Sequence, residues 1–170
     1  MPILTYRTSN PIVDGRQSDQ ALMIQRGTTR FFLRNDIALF PELTLSNGRR
    51  ADLVGIDSKG KIILIEIKSS VEDFKIDQKW PEYRDHCDFF YFASHKGVPR
   101  EIFPQEEGFI LADNYDAEII TQAREEKMPA ANRKALTLRF ARSSASRLEN
   151  IIRFAQNSGI TIPEDISEPG

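Results

Sequence analysis

Cysteine is almost absent from this chain of 170 residues: Cys87 stands alone. A single thiol excludes an internal disulfide framework and a thiolate zinc site, and a cytoplasmic location is the expectation. Histidine is nearly as scarce, and His86 and His95 have no partner at ligand spacing, so both are expected to be structural or solvated. No apolar run reaches the length of a membrane span, and the opening Met-Pro-Ile-Leu-Thr-Tyr-Arg lacks a signal-peptide core, so no membrane partner is expected. Repeats and low-complexity tracts are missing too. What remains, with 40% hydrophobic residues, is enough for one core, so residues 1–170 are read as a single domain with 1–17 and 160–170 irregular. A net charge of −2 argues against indiscriminate polyanion binding. That charge is uneven, because arginines dominate up to Arg50 while acid collects in the middle and between Glu164 and Glu168. Such segregation suits either a nucleic-acid face or an ordinary solvated surface.

The densest pattern lies between Gly48 and Ser70. Two β-rich runs, Ala51–Ile56 and Ile62–Ile67, flank Asp-Ser-Lys-Gly and predict a hairpin. Gly60 alone in that turn takes a positive φ without cost, which selects a loop of Ser58, Lys59 and Gly60. Asp57 then pairs with Lys61, and counting outward sets Asp52 opposite Glu66. Glu66 and Lys68 share a face within Ile63, Leu64, Ile65 and Ile67, a run typical of a strand buried on both sides. Charges there are costly unless they are paired or hold a metal. A cross-strand salt bridge and a metal site are both open on this pattern.

Around the hairpin, Ser18 caps a helix expected to run to about Arg34, with Ala21, Ile24, Thr28 and Phe31 buried and Arg26, Arg30 and Arg34 in a row elsewhere. Ile37–Leu45 reads as a strand whose Pro41 suits an edge or a bulge. Ser69 and Glu72 have capping-box spacing for a helix that breaks at Trp80-Pro81 and restarts as a short turn to Asp85. Trp80 is expected under the sheet. Asp88–Ala93 reads as a buried strand parallel to the Glu66 strand, and Gly108–Ala112 with Ala117–Thr121 as a second hairpin. A long helix from about Ala131 to Asn157 carries an apolar seam of Leu138, Ala141, Ala145, Leu148, Ile152 and Ala155, with Arg139 and Arg142 beside it, and ends at Ser158-Gly159.

Asp52, a hairpin, and then Glu66-Ile67-Lys68 resembles the PD-(D/E)XK nuclease signature. Arg49-Arg50-Ala51-Asp52-Leu53, Ile65-Glu66-Ile67-Lys68-Ser69-Ser70 and Lys79-Trp80-Pro81-Glu82-Tyr83-Arg84-Asp85 are more closely similar to the MmcB-like family of bacterial DNA repair proteins. Ala51 departs from the superfamily pattern, where proline commonly precedes the aspartate; that removes rigidity, not chemistry. The resemblance implies an α/β fold, a restriction-endonuclease-like mixed β-sheet flanked by helices with a long C-terminal helix. It also implies a metal-dependent DNA endonuclease acting in repair. Mg²⁺ or Mn²⁺ would be held by Asp52, Glu66 and the Ile67 carbonyl, with Lys68 acting on the attacking water or the developing charge. Glu42 is the candidate for a third acidic group, or else a surface glutamate. Gln78, five residues before Tyr83, resembles an accessory element of some superfamily members. Arg26, Arg30, Arg49, Arg50 and Lys79 are the candidate DNA contacts. The row of Arg26, Arg30 and Arg34, or the basic face around Arg139 and Arg142, is expected to contact phosphates without reading bases. Two other readings stand beside this one: a non-catalytic DNA-binding repair accessory, and an interaction protein that forms a homodimer through the C-terminal seam.

Overall fold

A computed structural model describes residues 18–161; the expected irregular stretch 1–17, most of 160–170 and the Glu164–Glu168 acids lie outside that range. Helix α1 (Asp19–Arg34) starts where expected, with the Ser18 hydroxyl accepting from the Ala21 N–H at 3.1 Å. Strands β1 (Ala38–Thr44), β2 (Arg50–Ile56), β3 (Ile62–Ile67), β4 (Phe89–Ser94), β5 (Gly108–Ala112) and β6 (Ala117–Thr121) form one sheet in sequence order. β1, β2 and β3 are antiparallel, β3, β4 and β5 parallel, and β5 and β6 antiparallel. The parallel step from β3 to β4 is made by α2 (Val71–Ile76) and a 3₁₀ helix (Trp80–His86); α3 (Ala130–Asn157) closes the chain. This is the mixed, helix-flanked α/β sheet that the sequence implied.

Alternation sorts the core into two layers. Leu53, Ile65, Tyr91 and Ile110 pack with Ile24 and Phe32 of α1 on one face. Val54, Leu64, Phe90, Phe92 and Phe103 fill the other, where Trp80 stacks on Phe90 at 5.7 Å between ring centroids. Trp80 is therefore a packing residue, as expected.

Two features differ from the sequence reading. The cap of α2 is shifted by one residue: Ser70, not Ser69, caps it, accepting from the Asp73 N–H, while Asp73 accepts from the Ser69 N–H. The long helix also turns another face to the sheet. Leu136 is buried, Phe140 packs on Phe40, and the Arg147 guanidinium lies 3.9 Å above the Phe40 ring. Leu138 and Leu148 of the expected seam are about half exposed, while its last residue, Ala155, is buried. A guanidinium stacked over an aromatic ring is a packing surface that apolar counting overlooks.

Candidate functional site

The predicted hairpin loop forms as expected: the Asp57 N–H donates to the Lys61 carbonyl at 3.1 Å, and Gly60 has φ +77°. The same register continues to Leu53 opposite Ile65, and there the β2–β3 ladder stops, one residue short of Asp52 and Glu66. The Ile67 N–H, which would have extended it, instead donates to Asp52 Oδ2 at 2.7 Å. Asp52 thus ties the two strands together with its side chain at the point where they part.

The neighbouring strand explains the parting. In β1 the pairs Pro41–Leu53 and Leu43–Ala51 bracket Glu42 and Asp52, and Glu42 carries φ +54°. Phe40 and Leu43 fall in the same core layer although three residues apart, and so do Ala51 and Val54. The side-chain phase therefore changes across Glu42 and Asp52, a local kink that an edge strand with a proline tolerates.

At the C-terminal end of β3, Glu66 is 4% and Lys68 2% exposed, too little for either charge to be hydrated. Lys68 Nζ donates to Glu66 Oε1 at 3.1 Å and to Asp77 Oδ2 at 2.8 Å. Glu66 Oε2 is buried with no hydrogen-bond partner. Asp52, Glu66, Ile67, Lys68, Asp73 and Asp77 line one cavity of about 380 Å³, roofed by Ser18 and Ala21 of α1. It opens where the parallel pair β3–β4 ends, the usual place for a ligand site in an α/β sheet.

Burial pushes the Asp52 carboxyl up to about 6, although its bond from Ile67 and the nearby Lys68 charge oppose this. Burial, reinforced by the charge of Asp52, raises Glu66 well above the usual glutamate range. For Lys68, burial works against the charge, but Glu66 and Asp77 outweigh it and hold the ammonium above its ordinary value. At Asp77 burial is the largest single influence and pushes the carboxyl up, but the bond and charge of Lys68, with the Lys79 N–H, together outweigh it and lower the carboxyl.

Asp52 and Glu66 could hold a divalent ion, because Glu66 keeps an oxygen without a partner and Asp52 spends only one on Ile67. Among the described residues no three His, Cys, Asp or Glu side chains group closely enough to hold an ion by themselves. Two carboxylates completed by a carbonyl, water and phosphate oxygens are the usual setting for Mg²⁺.

Other expected site residues lie elsewhere. Gln78 turns back to donate to the Phe74 carbonyl at the end of α2 and does not line the cavity. Glu42 lines a groove against α3, 3.6 Å from Arg50, and reaches Asp52 only through its charge. Arg49 forks onto Glu82 at 2.7 and 2.9 Å, and Arg26 reaches Asn114 at 3.3 Å. Arg30 and Lys79 are exposed. Cys87 is buried, and burial pushes its thiol up to about 12, so it is inert.

The sequence reading missed Asp73 and Asp77. Their signal was acids on and just after the short helix that follows Lys68: Asp73 lies within α2, and Asp77 is its C-cap, beyond the Ile76 end and short of the expected break at Trp80.

Sheet and site together define an α/β domain with buried carboxylates and a lysine at the open end of its central strand. The family model for DNA repair protein MmcB-like matches residues 8–155, and the chain belongs to that family. Among solved structures, the SPO1766 protein of unknown function from Silicibacter pomeroyi is 35% identical, with a TM-score of 0.77. The match covers 87% of this chain and 99% of that one. No curated protein matches. No helix among the described residues is long and apolar enough to cross a membrane.

Proposed function

We propose that this chain is a metal-dependent DNA endonuclease that hydrolyses phosphodiester bonds in DNA repair, with a site of the PD-(D/E)XK type. Membership of a DNA repair family supports the setting. The observation that carries the chemistry is the partnerless, buried Oε2 of Glu66, placed in one cavity with Asp52 and Lys68. Burying an acceptor in that way is costly unless something occupies it in the working state.

Asp52 and Glu66, with the Ile67 carbonyl, would hold Mg²⁺ or Mn²⁺. When bound, the ion supplies Lewis acidity and a water acidic enough to be a nucleophile near neutral pH. Asp52 is fixed by the Ile67 N–H and Lys68 by Asp77, so neither needs to reorganise when DNA arrives. The Lys68 ammonium, compact and kept charged, is suited to orienting a water or stabilising charge on a phosphate oxygen.

A second reading, a DNA-binding repair accessory without turnover, is favoured by one observation. Lys68 already satisfies Glu66 and Asp77, so the site is partly neutralised from within.

Calorimetric Mn²⁺ titration separates the two. The wild type is expected to bind, Glu66→Gln to lose most of that binding, and Lys68→Ala to retain it while cutting DNA about 100- to 1000-fold more slowly. A folded wild type that binds no ion, with or without DNA, establishes the accessory reading. A cleavage screen over linear and branched DNAs then identifies the substrate.

A further inference from the structure

Helix α3 carries Arg133, Lys134, Arg139, Arg142, Arg147 and Arg153 against Glu149 alone, in a chain whose net charge is −2. Base exceeds acid on this element although acid exceeds base over the whole chain. Between α3 and the edge strand β1 lies a groove of about 660 Å³. Arg139, Arg142, Ser143, Ser146 and Arg147 line it from the helix, recurring every three or four residues on one side.

Two of these arginines have a visible structural task. Arg139 donates to the Thr44 carbonyl at 3.0 Å, and Arg147 to the Pro41 carbonyl at 2.6 Å and the Glu42 carbonyl at 3.4 Å. They cap the edge strand, so the groove does not offer it to another β-strand. Arg142 differs: it is exposed and makes no hydrogen bond or ion pair among the described residues. The one acid in the groove, Glu42, is nearly buried and faces Arg50.

We infer that the α3–β1 groove binds a phosphodiester backbone, with Arg142 as its mobile cation and Ser143 and Ser146 as hydroxyl donors. The assignment rests on the DNA reading above and places the DNA track on α3 rather than on the α1 arginine row. From Arg139 to Ser146 the helix rises roughly 10 Å at 1.5 Å per residue, about three nucleotide steps of a strand at 3.4 Å each. Glu42 of the groove lies across β1–β2 from Asp52 of the carboxylate cavity, so the two sites adjoin the same kink in the sheet. Arginine clusters of this kind contact phosphates without reading bases.

The test is fluorescence anisotropy with labelled single-stranded and duplex DNA of one length, in EDTA, over a salt series. The variants are Arg142→Ala, Arg142→Glu, Ser146→Asp and, on α1, Arg30→Ala. All three positions are exposed, and melting temperatures verify folding. Arg142→Ala is expected to reduce the salt slope by about 1, and Arg142→Glu and Ser146→Asp to weaken binding tenfold or more, with Arg30→Ala near wild type. Whichever DNA form shows these losses is the form the groove takes. Wild-type binding that survives both charge-introducing changes, or that Arg30→Ala abolishes, overturns the groove alone. No binding by the wild type in either DNA form overturns the groove and the DNA reading together.

Discussion

Asp52 and Asp88 show how burial, which raises both carboxyls, is left standing at one and outweighed at the other by its partners. Asp52 is lifted to about 6 because burial exceeds the help it receives from the Ile67 N–H and Lys68. Its folded value lies above its unfolded one, so its contribution to stability is complete below about pH 4 and is lost as pH rises through about 6. The metal-free protein is thus expected to lose stability between these values, and Asp52→Asn, which can still accept from Ile67, to melt higher than the wild type near pH 7. Thermal melts in EDTA at pH 5 and 7.5 check this; a variant that melts lower at pH 7.5 would mean Asp52 serves the fold rather than a ligand. At Asp88, which is fully buried, burial is outweighed by Arg133, at 2.6 and 2.7 Å, and by the Ile62 N–H, and the carboxyl is lowered. Its contribution is present above the unfolded carboxylate value and is lost only as pH falls below it. A carboxylate that weakens the empty fold beside one that strengthens it is the pattern expected where stability is traded for activity.

Helix α1 serves the site indirectly. Its first turn, at Ser18 and Ala21, roofs the carboxylate cavity, while its middle rests on the β5–β6 turn. Gly27 makes that contact possible, because a Cβ there would overlap the Asp113 and Asp116 carbonyl oxygens. Gly27→Ala is expected to destabilise the protein by roughly 1–3 kcal/mol, the usual range for overpacking. Because α1 would shift as a unit, the same variant should also weaken Mn²⁺ binding, although residue 27 touches no site residue. Chemical denaturation with a parallel metal titration tests both. A stability loss with unchanged ion affinity would show that the roof does not depend on this contact.

Long-range side-chain ties join α3 to the sheet beside its packing on Phe40. Arg133, at the start of α3, donates to Asp88 and, at 2.9 Å, to the Gly60 carbonyl in the hairpin turn. One side chain thus links the last helix, the β2–β3 hairpin and the entry to β4. Removing it leaves Asp88 buried and uncompensated, so Arg133→Ala is expected to cost about 3–5 kcal/mol at neutral pH. Asp88→Asn is expected to cost less, since it removes the buried charge itself. Urea unfolding of both variants measures the difference, and equal losses would mean that the tie acts by geometry rather than by charge.

Much of this was legible along the chain. Gly60 in a loop between two β-rich runs set the hairpin register that brings Asp52 and Glu66 into line, since one positive φ at one position allows a single pairing. Ser18, Ser158-Gly159 and the alternation within each strand placed the elements, because caps and side-chain periods are local chemistry. Other features arise between elements far apart in sequence. Asp77 joins Lys68 only because α2 folds back over the end of β3. Glu42 faces the α3 groove rather than the cavity because β1 kinks at a non-glycine residue with positive φ, a conformation that the residue type does not announce. The face that α3 presents to the sheet follows Phe40, whose ring is covered by Phe140 and the Arg147 guanidinium rather than by Leu138 or Leu148.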